Sequence, residues 1–259
     1  MGIFSDNLTE EVRLEYMRPE QVEAAKERMP AIYIPFGSIE WHGYLNPLGL
    51  DALKAHEQLI GLAARSGGVV YPPVFFGSGG GHGEYPSSFM VDAEAMVRIV
   101  LNLLERFEQD GYEKVILLSG HYPNKKMFLD EAVAQYQSQG GTMKVLAVIE
   151  SHVPGVEGDH ASKYETSFML YLHPETVDMQ RLKSKPLDDP GGSDERVNWM
   201  DDAFKDHPCY GLLGIDPRPY ASIDVGKEGT ERLIDFFSDW LHGKNELPER
   251  KKRERNSLL

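Results

Sequence analysis

The sequence contains a single cysteine, Cys209, among its 259 residues, so no disulfide can form within the chain. A lone thiol in a chain of this size is typical of proteins that stay in a reducing compartment. No apolar run approaches the ~18 residues that a membrane-spanning helix needs, and the first residues lack the cationic stretch and apolar core of a signal peptide. We therefore predict a cytoplasmic protein without a membrane segment.

Positive charge is also scarce in this chain. Lys and Arg number 27 against 41 Asp and Glu, which gives a net charge of −14. A chain this acidic repels phosphate backbones, so we expect no nucleic-acid partner. The one basic cluster, at residues 250–255, is expected to be a solvated C-terminal tail.

Motifs for nucleotide binding and covalent catalysis are missing. Residues 77–83 (GSGGGHG) are rich in glycine but match neither G-x-G-x-x-G nor the P-loop. No G-x-S-x-G nucleophile elbow occurs, and Cys209 has no local nucleophile signature. We expect this glycine-rich segment to be a mobile loop that presents His82 to a cleft, with a plain flexible turn as the alternative.

What the sequence does contain is an alternation of short apolar runs with helical patterns, which is typical of βαβ units around a mainly parallel sheet. Its length and composition fit a single α/β domain over residues 1–259. Residues 186–220, dense in Pro, Gly and Asp, are expected to form an irregular insertion. The predicted strands are 31–36, 69–73, 114–119 and 144–149, and the predicted helices are 51–64, 93–109, 123–139, 160–172 and 230–242.

A first cluster of polar residues follows the first predicted strand. Glu40 and His42 are two residues apart, so an extended chain points both to the same face. Glycines and a proline between them and Asp51 let the loop curl back toward the strand end. Two carboxylates and an imidazole suit a divalent ion such as Zn²⁺ or Mn²⁺. The alternative is that Asp51 only caps the helix that follows.

Two further clusters lie later in the chain. His121 follows the third predicted strand, at the carboxyl edge of the sheet where ligands bind in such folds. His160 and Glu165 are five residues apart, about 140° around a helix, so they share a face only if the helix begins after His160. The spacing of Ser162 and Glu165 also matches a helix capping box, which is a purely structural alternative.

Together these clusters resemble the creatininase (creatinine amidohydrolase) family. The family motif Gly-Ser-x-Glu-x-His-Gly, with an Asp nine residues after the His, matches residues 37–43 and Asp51. Its Gly-His-x-x-Asn motif matches residues 120–124, and its His-x-x-x-x-Glu-Thr-Ser motif matches residues 160–167. A looser likeness to the family's histidine loop runs through Ser78, His82 and Pro86. The matches keep the expected order from about residue 32 to residue 230.

The resemblance implies a three-layer α/β/α sandwich with two divalent metal ions, Zn, Mn or Fe, in each subunit of a homo-oligomer that is often a hexamer. By position, Glu40 and His121 would bind one ion and His42 the other, with Asp51 bridging them. His160 would be the catalytic residue that transfers protons.

Two departures from the family pattern bear on the substrate. Creatininases proper have a Glu ligand two residues after the second-cluster His, where this chain has Pro123. We expect Glu165 to supply the missing metal ligand. Creatininases also have a Trp four residues before the catalytic His, where this chain has Val156. Creatinine is therefore not the expected substrate, and the substrate-binding candidates are His82, Tyr122, Trp41 and Trp199.

The sequence thus predicts a metal-dependent hydrolase in which a metal-bound hydroxide attacks a carbonyl and His160 passes a proton to the leaving group. The expected substrate is a small polar molecule with a cyclic amide or formamide C–N bond. One alternative is hydrolytic C–C cleavage of a cyclic keto-polyol, as in inositol breakdown. The other is a non-catalytic scaffold that binds a metal or a small ligand.

Overall fold

The central sheet of the protein has four parallel strands in the order β2-β1-β3-β4. The computed structural model describes residues 2–183 and 193–246. Strand β1 pairs with β3 in register from Ala31 opposite Lys114 to Phe36 opposite Ser119, and β3 pairs with β4 over an equal length. The carboxyl ends of these three strands therefore lie at one edge. The strands are β1 (Ala31–Phe36), β2 (Val69–Val70), β3 (Lys114–Ser119) and β4 (Lys144–Ile149).

Helices cover both faces of this sheet because successive residues of each strand point to opposite sides. Tyr33 and Ile116 belong to one apolar cluster, whereas Ile34 and Val115 belong to the other. Both clusters are buried, which is why the strands are almost uniformly apolar. The predicted three-layer α/β/α architecture is confirmed. One layer contains α2 (Leu50–Ser66), α5 (Lys163–Leu172) and α7 (Ile223–Leu241), and the other contains α3 (Ala93–Gln109) and α4 (Asp130–Ser138).

Several boundaries differ from the sequence prediction. Strand β2 ends at Val70 because Pro72 and Pro73 have no N–H to donate to a neighbouring strand. The predicted helix 123–139 is a π-helical turn, Lys125–Leu129, that leads into α4. Helix α7 begins at Ile223, seven residues before the predicted start, with Ser222 as its N-cap. Helix α1 (Pro19–Arg28) was not predicted.

Glycine makes the early start of α7 possible. A Cβ on Gly226 would lie 1.9 Å from the carbonyl oxygen of Ser167, so only glycine lets α7 approach α5 this closely. The glycines that weaken the helical pattern in the sequence therefore serve helix–helix packing.

The described part of the predicted insertion, residues 193–220, is not wholly irregular. It contains the antiparallel ribbon of β5 (Arg196–Asn198) and β6 (Leu213–Ile215), followed by the short helix α6 (Pro217–Tyr220). Residues 186–192 of the insertion and the predicted basic tail lie outside the described residues. None of the described helices combines the length and the apolar character needed to cross a membrane.

Candidate metal centre

Helix α2 begins directly beside the ends of β1 and β3, and two glycines allow this approach. A Cβ on Gly37 would lie 2.1 Å from the backbone nitrogen of Ala52, and one on Gly120 would lie 2.2 Å from the carbonyl oxygen of Asp51. Any larger residue at either position would push the helix away. The first turn of α2 thereby holds Asp51 at the carboxyl edge of the sheet.

Glu40, Asp51 and His121 form the first group of potential ligands. His121 Nδ1 lies 2.8 Å from Glu40 Oε2 and 3.3 Å from Asp51 Oδ2. All three residues are buried. Residues from the β1 loop, α2 and the end of β3 thus meet at one point, as the sequence predicts for a metal site.

His42 and Glu165 form the second group, on the other side of Asp51. His42 Nε2 lies 3.2 Å from Asp51 Oδ1 and 3.8 Å from Glu165 Oε2. Asp51 therefore presents one carboxylate oxygen to each group, Oδ1 to His42 and Oδ2 to His121. Asp51 thus lies between the two groups, within 3.3 Å of a histidine in each.

The alternative that Asp51 only caps α2 is wrong. The N-cap residue is Gly49, and no side chain makes a capping hydrogen bond there. Asp51 instead accepts a hydrogen bond of 2.6 Å from the Ser38 hydroxyl, which also lies 3.3 Å from Glu40 Oε2. Ser38 thus links the two carboxylates.

Glu165 reaches the site because α5 begins at Lys163, after His160. This is the helix start that the sequence analysis requires for Glu165 and His160 to face the same site. The capping-box interpretation is wrong, since Ser162 makes no capping hydrogen bond. The backbone N–H of Ala161 donates to Glu165 Oε2 at 2.7 Å. Ala161 has a φ of 53°, a left-handed conformation that is uncommon for a residue with a side chain and often marks functional sites.

His160 lies between two other imidazoles. Its ring centroid is 3.7 Å from that of His82 and 4.6 Å from that of His42, and both pairs are stacked. His82 also places Nδ1 3.3 Å from Glu40 Oε1, so the glycine-rich loop does present His82 to the site.

Each of the four site histidines directs one ring nitrogen to a backbone carbonyl. A carbonyl oxygen only accepts, so that nitrogen carries hydrogen and the other nitrogen faces the site or its neighbours. Orientation of this kind is typical of histidines that bind metal ions. The pairs are His42 Nδ1 with Glu40 O at 2.9 Å, His82 Nε2 with Gly211 O at 2.8 Å, His121 Nε2 with Gly79 O at 3.3 Å, and His160 Nε2 with Trp41 O at 2.8 Å.

The side chains of the site shift one another's pKa values. Burial alone would lower the pKa of His121, but hydrogen bonds to Asp51 and Glu40 outweigh it and raise that pKa to about 10. In the same way Asp51 outweighs burial and raises the pKa of His42 to about 9. Burial, and then the charges of His42 and His82, hold the pKa of His160 well below its usual value. His160 is therefore neutral at pH 7.

This donor set fits divalent metal ions. Buried carboxylates and imidazoles are the ligands that Zn²⁺ and Mn²⁺ take in proteins. Within the described residues, three groups each offer ligand atoms that all lie within 4.8 Å of one another. The groups are Glu40, Asp51 and His121; His42, His160 and Glu165; and Glu40, His82 and His160.

An aromatic rim runs from His82 to the surface and consists of Trp41, Tyr44, Tyr85 and Tyr210. Trp41 lies edge-on to Tyr44 with centroids 5.0 Å apart, and its Nε1 donates to the carbonyl oxygen of Tyr210 at 3.1 Å. Tyr85 lies 5.0 Å from His82 and 5.2 Å from Tyr210. Tyr44 is exposed, so the rim joins the site to solvent.

Of three other positions that the sequence analysis names, Trp199 and Val156 are buried and Tyr122 is half-buried. Trp199 is fully buried in a small apolar cluster with Leu212 and Cys209, where it supports the insertion. Tyr122 lies with its ring 5.0 Å from the ammonium of Lys54, behind the site. Val156 is part of the main core.

Sequence reasoning missed two charged residues of this region, Lys54 and Glu150, and it named Ser38 and Asn124 only as motif positions without a role. Asn124 joins the glycine-rich loop to β1, because it accepts from Ser78 N and donates to Gly37 O. Lys54 and Glu150 are fully buried. Both residues could have been recognised from the sequence. Lys54 is a charged residue among the apolar positions of α2, and Glu150 is a charged residue at the end of β4.

The comparison with known families agrees with this geometry. The family described as creatininase, creatinine amidohydrolase, matches residues 15–241. The chain belongs to the creatininase family.

Curated relatives in this family have different activities. Creatinine amidohydrolase of Pseudomonas putida is 26% identical over 180 residues, covering 60% of this chain and 69% of the relative.

Two other creatininase relatives act on other substrates. The mycofactocin precursor peptide peptidase of Mycobacterium ulcerans (strain Agy99) is 29% identical over 167 residues, covering 60% of this chain and 63% of the peptidase. The 3-dehydro-scyllo-inosose hydrolase of Thermotoga maritima is 24% identical over 257 residues, covering 87% of this chain and 81% of the hydrolase. Membership of the creatininase family therefore does not fix the substrate.

Solved creatininase structures share the fold. A crystal structure of creatinine amidohydrolase superposes with a TM-score of 0.72 at 23% identity, covering 92% of this chain and 99% of the other. A creatininase described as the Mn form gives a TM-score of 0.72 at 23% identity, covering 91% and 99%. Creatininase structures thus carry metal ions, and the clusters above are candidate ligands in this chain.

Proposed function

We propose that this protein is a metal-dependent hydrolase that cleaves a cyclic amide or formamide C–N bond in a small polar molecule. The observation that carries the proposal is the position of Asp51, with one carboxylate oxygen toward His42 and the other toward His121. Glu40 and His121 would hold one ion, His42 and Glu165 a second, and Asp51 both. When bound, Zn, Mn or Fe would lower the pKa of a water molecule and polarise a carbonyl.

The protein's own residues position the substrate and move the proton. Trp41 O accepts the hydrogen on His160 Nε2, which leaves His160 Nδ1 as the nitrogen that takes a proton and delivers it to the leaving group. The stacked rings of His42 and His82 hold that imidazole in place. The substrate would contact His82, Trp41 and Tyr85 where the aromatic rim meets the site.

A second candidate is hydrolytic C–C cleavage of a cyclic keto-polyol. It is favoured by the long alignment with the inosose hydrolase, which covers 87% of this chain. Both reactions need the same activated water and the same proton transfer. Only the identity of the substrate therefore distinguishes C–N hydrolysis from C–C hydrolysis.

The test begins with metal analysis of protein that has never met a chelator. About two equivalents of Zn, Mn or Fe per chain are expected, whereas well under one would favour a non-catalytic scaffold. The metal-loaded protein is then screened against lactams, formamides and cyclic keto-sugars, beside His160→Ala. Turnover of C–N substrates that His160→Ala loses supports the proposal, and turnover of keto-sugars alone would establish the second candidate.

We also propose that the protein is cytoplasmic, since a lone cysteine is typical of a reducing compartment, and that it is a homo-oligomer, as the family resemblance implies. Light scattering on the purified full chain tests the assembly, and a monomer would contradict it.

A further inference from the structure

Lys54 is fully buried one turn after Asp51 on α2, directly behind the candidate metal centre. Its ammonium lies 2.5 Å from Glu165 Oε1 and 3.0 Å from Glu150 Oε2. The rings of Tyr122 and Phe168 lie 5.0 and 6.0 Å from the ammonium. Lys54 is thus enclosed by two carboxylates and two aromatic rings.

Stability alone does not account for this arrangement. Bringing a lysine and two carboxylates out of water costs several kcal/mol per ion, and apolar residues of the same volume are often equally stable or better. In some proteins a buried ion pair serves to fix the orientation of the groups it joins. The question is which group Lys54 orients.

The two oxygens of Glu165 have different partners. Oε1 contacts Lys54, while Oε2 accepts from Ala161 N at 2.7 Å and lies 3.8 Å from His42 Nε2. The carboxylate is therefore held at both ends, and the oxygen that Lys54 does not engage faces the histidine. A glutamate side chain without Lys54 would keep only the contact at Ala161.

The sequence at Pro123 indicates a role for the contact between Lys54 and Glu165. Pro123 stands where creatininases proper have a glutamate ligand, and proline offers no ligand atom. We propose that Lys54, anchored by Glu150, is a positioning residue that fixes Glu165 as the replacement ligand on the His42 side of the centre. The inference rests on the proposed function, because it requires a metal centre with two sides.

The test measures metal binding rather than turnover. The main variant is the double substitution Lys54→Met with Glu150→Gln. It removes both charges of this pair, so neither partner is left charged without the other. Its control is Lys227→Met, since Lys227 is exposed on α7 and its ammonium lies 3.9 Å from Glu231 Oε1. Glu165→Gln serves as the reference for loss of the ligand itself. Full-length proteins are compared by circular dichroism, Zn²⁺ titration and the visible spectrum after Co²⁺ loading.

We expect the double variant to fold and to bind one ion as tightly as the unsubstituted protein. Its affinity for the second ion should fall about 10- to 100-fold, as for other groups that orient metal ligands. The Co²⁺ spectrum of the remaining ion should match that of Glu165→Gln. Glu150→Gln alone, which keeps the Lys54–Glu165 contact, should show a decrease near the lower end of that range.

The outcomes separate the two proposals. If the unsubstituted protein binds two ions and the folded double variant binds both equally well, the role of Lys54 is overturned while the metal centre stands. If the unsubstituted protein binds less than one ion, the proposed function fails and the inference fails with it. Should the double variant not fold, unchanged second-ion affinity in Glu150→Gln overturns the inference.

Discussion

His82 and His160 stack with their ring centroids only 3.7 Å apart, although they come from the glycine-rich loop and from the turn before α5. Each ring also donates to a backbone carbonyl, of Gly211 and Trp41 respectively. The stack therefore fixes the imidazole that we propose as the proton carrier.

Replacing His160 by Ala should lower kcat about 10²- to 10⁴-fold, because proton transfer by a positioned side chain contributes that much. The metal content should stay at its original value, since Glu40, His42, Asp51, His121 and Glu165 keep their places. Elemental analysis and steady-state kinetics check the two parts. His242→Ala, at the exposed end of α7, is the matched control. A loss of metal in His160→Ala would show that His160 is a ligand instead.

Replacing Asp51 by Asn should remove both ions rather than one. Asn keeps the shape of the side chain but has a single oxygen and no charge. It therefore cannot bind the ion on the His42 side and the ion on the His121 side together. Metal titration by calorimetry measures the loss, and Asp235→Asn on the exposed side of α7 is the control. Retention of one tightly bound ion would contradict the bridging role.

The unfolding free energy of chelator-treated protein should fall as pH rises from about 6.5 to 10. The pKa values of His42 and His121 are about 9 and about 10 in the metal-free fold, above the usual value of 6.5. A raised histidine pKa stabilises the fold fully below the unfolded pKa, and this stabilisation is lost as pH passes the folded pKa.

Chemical denaturation across this range measures the pH effect. The metal-loaded protein is the comparison, because bound ions replace those protons and should flatten the profile. Equal profiles with and without metal would mean that the ions do not bind at these histidines.

Replacing Gly120 by Ala should destabilise the protein by roughly 1–3 kcal/mol and weaken metal binding. The new methyl group would lie 2.2 Å from the carbonyl oxygen of Asp51, which is backbone and cannot rotate away. Thermal unfolding and metal titration measure both effects. Gly83→Ala is the control, since its methyl group would meet only Met90, at an ordinary 3.7 Å. Equal effects of the two substitutions would contradict the close approach of α2.

The parts predicted well are those in which a local pattern and tertiary packing agree. Helix α3 has the predicted bounds because Met96, Val100 and Leu104 repeat at helical spacing and are all buried. Strands β1, β3 and β4 also match, because short apolar runs end at glycine, proline or charge.

The parts predicted poorly depend on contacts between distant segments. Gly226 disfavours a helix locally, yet its contact with Ser167 is what joins α7 to α5. Likewise, the convergence of the candidate ligands could be predicted from motifs, but the ion pairs of Lys54 could not, because Glu150 and Glu165 lie far from it in sequence. Only the fold brings these charges together.

The insertion contacts the site through main-chain atoms. The carbonyl oxygen of Gly211 accepts a hydrogen bond from His82, and that of Tyr210 accepts one from Trp41. The backbone of Leu213 pairs with the backbone of His160. The candidate metal ligands, by contrast, come from strand ends and from α2 and α5. Substitutions of the insertion's side chains would therefore leave the main-chain contacts that hold His82, Trp41 and His160 in place.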